Sequence, residues 1–237
     1  MSRSVNPPES LPPDDKLRAL AEFAAGAGHE INNPVATISG YVQQLLPGER
    51  DPDRAQALVT IGAQALRIRD MIGDLMLFAR PPQPVPIRLD LQQVAAELVG
   101  RFQEEAHTRD CRLILKPGHP LPILADPTHI RTLFAALLRN GIEAAAGGGQ
   151  VVLEGSQFMH DGRPAARFVW TDTGPGLQPL ELEHAFDPFF SGRQAGRGLG
   201  FGLAKAWRIA TLHHAELRIA SPAGQGAVFS LIWPLDS

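Results

Sequence analysis

One cysteine in 237 residues, Cys111, excludes an internal disulfide and fits a reducing compartment. In its setting, Cys111-Arg112-Leu113-Ile114-Leu115, it reads as part of a strand rather than as a nucleophile. No apolar run approaches the roughly eighteen residues of a membrane span, and the first residues lack the apolar core of a signal peptide, so neither membrane insertion nor export is expected and the chain is read as cytoplasmic. A basic excess is missing too. With 22 Lys and Arg against 25 Asp and Glu the net charge is −3, which gives no footing to a nucleic-acid partner. What remains is an ordinary globular balance, 44% hydrophobic and 20% charged, enough for a real core in one or two domains.

Residues 1–13 are rich in Pro, Ser and Asn with almost no apolar content, and are read as a disordered tail. Asp14 and Asp15 can cap a helix, and a three-four alternation follows: Leu17, Leu20, Ala24, Ala27, Ile31, then Val35, Ile38, Val42 and Leu45, ending before Pro47-Gly48. Pro34 has no N–H for the carbonyl of Glu30, so a local kink or unwinding is expected one turn beyond His29. His29 lies two residues from both Ala27 and Ile31, off the apolar seam, with Glu30 beside it and Asn33 one turn on. The zinc pattern HExxH is excluded, because Asn33 stands where its second histidine would be. A second helix carries Leu58, Ile61, Ala65, Ile68, Ile72, Leu75 and Ala79 at the same spacing. Residues 14–80 thus form a helical hairpin, which leaves apolar surface wet unless two copies pair as a four-helix bundle, so a homodimer is expected.

Residues 81–87, dense in proline, read as a semi-stiff linker, and residues 88–237 as a second domain of mixed strands and helices. Helices are expected from Asp90 to about Thr108, from Asp126-Pro127 to the stop at Gly147-Gly148-Gly149, and from about Leu199 to Leu212. Strands are expected over 111–116, 121–125, 151–156, 166–171, 216–220 and 227–233, with Asp161-Gly162 in a turn.

Four pieces of this domain suggest a nucleotide site. Asn140, late in a helix beside Arg139, offers a neutral amide oxygen suited to hydrated magnesium. Asp172-Thr173-Gly174-Pro175-Gly176 puts an acid at a strand end before glycines that permit close approach to the backbone. Phe186-Asp187-Pro188-Phe189-Phe190 is an aromatic cluster followed by Ser191, Gly192 and Arg193. The alternating glycines of 196–202 lead into a helix and would present N–H groups to an anion. This is neither the dinucleotide fingerprint, since Leu203 replaces its third glycine, nor a P-loop, since no Gly-Lys-Ser/Thr occurs.

In this order and spacing the pieces resemble a bacterial sensor histidine kinase over roughly residues 15–235. His29-Glu30-Ile31-Asn32-Asn33-Pro34 resembles the phosphoacceptor box, Asn140 with Arg139 the N box, 172–176 the first glycine box, 186–190 the F box and 198–203 the second glycine box. The resemblance implies the α-helical hairpin of a dimeric four-helix bundle, followed by an α/β two-layer sandwich of the histidine kinase, gyrase and Hsp90 ATP-binding type. It implies catalytic roles for His29, Glu30 and Asn33. It implies ATP binding by Asn140, Arg139, Asp172, Gly174, Gly176, Arg193, Gly198, Leu199 and Gly200, with Mg²⁺ on Asn140. A response regulator receiver domain is the implied partner, and an upstream sensory protein or domain a further one. One position departs from the pattern: Ala136 stands where the family has a further Asn. It leaves open a second class, a regulator-binding module or phosphatase whose ATP domain is structural. The same alanine lacks the carboxylate with which ATPases of this fold activate water.

Overall fold

The computed structural model describes residues 4–5, 14–188, 190, 200–222 and 224–235, and in the first helix the side chains of Glu22, Gly26, Gly28 and residues 30 onward. Two compact units result, Ser10–Pro82 and a discontinuous one made of Met1–Glu9 with Gln83–Ser237.

The first unit is a helical hairpin. Helix α1, Asp14–Leu45, runs without a break through Pro34, so the expected unwinding is absent; Thr37 Oγ1 donates to the Asn33 carbonyl at 3.1 Å in the turn that follows the proline. A single 3₁₀ turn, Leu46–Gly48, leads to α2, Pro52–Ala79, whose N-cap Asp51 accepts from the N–H groups of Asp53 and Arg54. The apolar seam divides into two rows. Gly28, Val35 and Val42 of α1 are buried within the hairpin, as are Ala65 and Ala79 of α2. A Cβ on Gly28 would rest 3.4 Å from Ile72, and one on Gly62 3.0 Å from Val42, so these two glycines face the other helix of the hairpin. The other row stays in water: Ile38 is 41% exposed, Leu45 54%, Ile61 47% and Ile68 39%.

The second unit places helices on one face of a six-stranded sheet. Strands β1 (Ser4–Val5), β3 (Arg112–Leu115), β5 (Gln150–His160), β6 (Arg163–Asp172), β7 (Glu216–Ala220) and β8 (Val228–Pro234) lie in the order β1-β7-β8-β6-β5-β3. All pairs are antiparallel except β3 with β5. Ser4–Val5 fall in the segment read from sequence as a disordered tail, and they pair with β7 instead. Strand β2, Ile87–Asp90, not expected from sequence, starts at the last residue of the linker and pairs with β4, Pro122–Ala125. The linker is also tied down, since the Val85 N–H donates to Asp126 Oδ2 at 2.9 Å. The other oxygen of Asp126 caps α4, Pro127–Ala144, through the N–H groups of Thr128 and His129.

The hairpin β5–β6 turns at Asp161 (φ 49°) and Gly162 (φ 75°), a pair of left-handed residues whose twist suits a two-residue connection. Its strands are longer than the hydrophobic pattern suggested. Helices α3, Leu91–Thr108, α4 and α6, Gly202–Leu212, cover the sheet, and α4 packs Phe134 against both Phe168 and Trp170 of β6, with ring centroids 5.1 and 4.7 Å away. Burying each such side chain is worth about 1.5–3 kcal/mol, so this aromatic cluster fixes α4 on the strand that ends in Asp172. A short helix α5, Pro179–Glu183, not expected from sequence, follows the glycine turn.

At the far end of α4 the buried His129 presents Nδ1 to Nε2 of His213, 3.2 Å away. Burial, reinforced by repulsion from His129, pushes His213 down to about 4. An unfolded His213 takes up its proton near pH 6.5 while the folded one resists, so the stabilisation is complete above that pH and drains away as pH falls towards 4. Allowing for the partly exposed ring, the loss is about 1–2 kcal/mol. Thermal unfolding should therefore move to lower temperature between pH 7.5 and pH 5, and His213→Gln should flatten that slope.

Candidate nucleotide-binding site

Asp172 ends β6 and is 3% exposed. Its Oδ1 accepts from the N–H of Gly174 at 2.9 Å and of Ala227 at 3.2 Å, while its own N–H donates to the Ala227 carbonyl at 3.0 Å. The carboxylate is thus held in one orientation by the loop after β6 on one side and the β7–β8 turn on the other. Two backbone N–H groups converge on that one oxygen and fix its position.

The glycines of this loop also meet a need not read from sequence. A Cβ on Gly174 would lie 2.7 Å from the Ala144 carbonyl oxygen, and one on Gly176 (φ 77°) 2.6 Å from Ser221 Oγ. Both make room for the protein's own chain. The first contact decides the site's geometry, because Ala144 is one helical turn beyond Asn140 and on the same face of α4. Asn140, half-buried, therefore stands one turn from the loop that holds Asp172. Arg139 is turned elsewhere: its guanidinium carbon lies 5.3 Å from the ring centroid of Phe102 in α3. Ala136, a turn before Asn140, is half-buried.

Gly200 (φ 72°) meets the backbone of Phe190, so closely that a side chain there would collide with it. The aromatic cluster and the start of α6 are thereby joined. Phe186 and Phe201 are buried, and His184 Nδ1 bonds Asp187 Oδ2 at 2.7 Å while its ring lies 5.4 Å from that of Phe190. Arg193, Gly198 and Leu199 lie outside the described residues, as does the side chain of His29. Glu30 and Asn33 are exposed on α1.

Sequence reading missed the far side of the site. Ser221 Oγ accepts from the Leu177 N–H at 2.7 Å and donates to the Gly226 carbonyl at 2.9 Å, pinning the glycine loop to the β7–β8 turn. Gly226 (φ 79°) passes so near the Asp172 main chain that no side chain fits. In sequence Ser221 to Ala227 looks like any hairpin turn, about fifty residues from Asp172. Cys111 lies behind the same corner, just before β3, and burial together with the charges of Asp172 and Asp110 pushes its thiol up.

Residues 19–84 match the His Kinase A (phospho-acceptor) domain, and residues 125–237 match the histidine kinase-, DNA gyrase B- and HSP90-like ATPase. The chain is a histidine kinase transmitter. It is 30% identical over 94% of its length to the signal transduction histidine-protein kinase AtoS of Escherichia coli, of which it covers 36%, and 26% identical over 96% to sporulation kinase E of Bacillus subtilis, of which it covers 30%. The transmitter thus spans about a third of the length of these relatives. Its fold is that of full-length ShkA in complex with AMPPNP (TM-score 0.78, 23% identity, 91% of this chain and 46% of that one). It is also that of ThkA in complex with the response regulator protein TrrA (TM-score 0.67, 20% identity, 94% and 64%). Among the described residues no helix is long and apolar enough to cross a membrane.

Proposed function

We propose that this transmitter phosphorylates its own His29 from ATP and passes the phosphoryl group to an aspartate of a response regulator receiver domain in the cytoplasm. The observation that carries the reading is the fixed, buried carboxylate of Asp172, whose following loop packs through Gly174 on Ala144, one turn of α4 beyond Asn140, in a chain that also bears His29-Glu30-Ile31-Asn32-Asn33-Pro34. Asp172 accepts a hydrogen bond from the adenine amine, and the half-buried amide oxygen of Asn140 suits Mg²⁺. The metal, when bound, neutralises charge on the triphosphate. Arg193, in the stretch between the aromatic cluster and α6, meets phosphate oxygens, and Arg139 can do so only by leaving Phe102. On this reading Gly198, Leu199 and Gly200 also serve the triphosphate.

Transfer needs His29 as neutral imidazole. One ring nitrogen forms the N–P bond as the bond from the γ-phosphorus to the β–γ bridging oxygen breaks and ADP departs. Glu30 accepts the proton released from the other ring nitrogen. The relative ThkA has been crystallised with its response regulator, which supports a receiver domain as the next acceptor. Asn33, one turn from His29 and exposed, is suited to position water for removing phosphate from that regulator. Purified protein given γ-labelled ATP and Mg²⁺ should take up acid-labile, base-stable label that His29→Gln abolishes. Bound nucleotide without label would favour the second reading, a phosphatase or regulator-binding module, to which Ala136 gives support by removing an amide near the metal position.

The working form is a homodimer. The wet row of Ile38, Leu45, Ile61 and Ile68 is the surface a second hairpin would cover to complete a four-helix bundle. Light scattering should give twice 25.6 kDa for the wild type and the single mass for Ile38→Lys with Ile61→Lys.

A further inference from the structure

The C-terminal half of α4 divides into two faces. Leu137, Leu138, Gly141, Ile142 and Ala145 are buried, and a Cβ on Gly141 would lie 3.0 Å from Val151, so this face packs on β5. On the other face Ala136, Asn140, Glu143 and Ala144 are half-buried. At about 100° per residue these four make one stripe, with Ala144 rotated about 40° to one side of Asn140 and Glu143 about 60° to the other. Gly174 packs on the Ala144 side. The stripe therefore runs from the loop that follows Asp172, through Asn140, to Glu143.

A carboxylate at that end raises a question of charge. On the nucleotide reading above, which the assignment below presupposes, adenine lies at Asp172 and the triphosphate extends past Asn140. An ionised Glu143 then stands beside a polyanion and repels it unless a cation lies between them. Arg139, its neighbour on α4, is directed to the ring of Phe102 instead. The stripe itself offers one amide oxygen and one carboxylate, with no imidazole and no thiol. Hard oxygen donors of this kind suit Mg²⁺, which takes one or two carboxylates together with phosphate oxygens and water.

We propose that Glu143 is a second oxygen donor to the metal, directly or through a water, on the side of Asn140 away from adenine. It supplies an oxygen to a face on which Ala136, between the two in rotation and one turn before Asn140, has none.

The test uses the full-length chain as wild type, Glu143→Gln and Glu143→Lys. Each is titrated calorimetrically with a non-hydrolysable ATP analogue, once with Mg²⁺ in excess and once in EDTA. The ratio of the two affinities is the gain that the metal brings. Glu143→Gln should bind about tenfold more weakly with Mg²⁺. In EDTA it should bind about two- to threefold more tightly, because the carboxylate no longer repels the triphosphate. Glu143→Lys should bind more tightly still in EDTA and gain nothing from Mg²⁺. Adenosine, which has no phosphate, should bind all three forms alike.

An equal loss with and without Mg²⁺ overturns the assignment and makes Glu143 an ion-pair partner within the protein. Affinities unchanged in both variants overturn it as well, and so does loss of adenosine binding, which would make Glu143 a support of the Asp172 corner. Wild type that gains nothing from Mg²⁺ removes Asn140 as a metal ligand, and Glu143 with it. Wild type that binds no analogue under either condition overturns the nucleotide reading itself.

Discussion

Asp172→Asn is expected to lower ATP affinity about 30- to 100-fold, with little change in thermal stability measured without nucleotide. An asparagine keeps one oxygen for the N–H groups of Gly174 and Ala227, so the corner of the site stays built. Its other atom becomes an N–H₂, which on the proposed reading would face the adenine amine donor to donor. Losing a hydrogen bond to a charged group and burying an unmatched donor costs about 2–3 kcal/mol, which is the stated loss of affinity. Asp172→Ala should behave differently, because it strands two backbone donors in a buried corner at about 1–3 kcal/mol each. It should unfold at lower temperature even without ligand. Calorimetric titration with a non-hydrolysable ATP analogue, beside thermal unfolding of both variants, separates the two effects; equal affinity in wild type and Asp172→Asn would remove Asp172 from the site.

Gly226→Ala is the second large effect, and the same turn provides its control. Gly224 and Gly226 both hold left-handed φ, 73° and 79°, so alanine at either is strained by about 1–2 kcal/mol. Around Gly224 nothing lies within 4 Å, whereas a Cβ on Gly226 would run into the main chain of Asp172. Gly224→Ala should therefore pay for strain alone and bind nucleotide normally. Gly226→Ala must in addition displace the end of β6 or the β7–β8 turn, and with either goes the alignment of Asp172. A destabilisation of about 3 kcal/mol or more is expected, with nucleotide binding lost at concentrations that saturate the control. Similar melting temperatures for the two variants would show that the turn moves aside freely.

The contrast between these two glycines shows where the sequence stops being readable. The helix with regular spacing and an explicit cap, α4 behind Asp126-Pro127, lay where its residues implied, because the signal is local; α2 begins at Pro52, a residue the sequence reading left in the preceding loop. The order of boxes from Asn140 through Asp172 to the glycines before α6 was legible for a similar reason, each being a short run of unusual residue types. The contacts that assemble them were not. Gly174 against Ala144 and Ala227 against Asp172 join residues thirty and fifty-five positions apart, and nothing in a Ser-Pro-Ala-Gly-Gln-Gly turn says what it will lean on. Strand β1 was hidden differently: a short pairing beside prolines has no periodicity, and it forms because β7 offers an edge. In α1 the seam was found but not its division, since which heptad row faces the partner helix depends on Gly28 and Gly62, whose small size the apolar pattern passes over.

The protein's lone thiol sits behind the corner that orients Asp172, buried and with its ionisation suppressed by burial and by the two neighbouring carboxylates. Thiol oxidation and alkylation act on the thiolate, so while this unit stays folded they find no reactive thiol. Alkylation of Cys111 would therefore mark only molecules caught open, which makes this thiol a reporter of opening of the corner that orients Asp172.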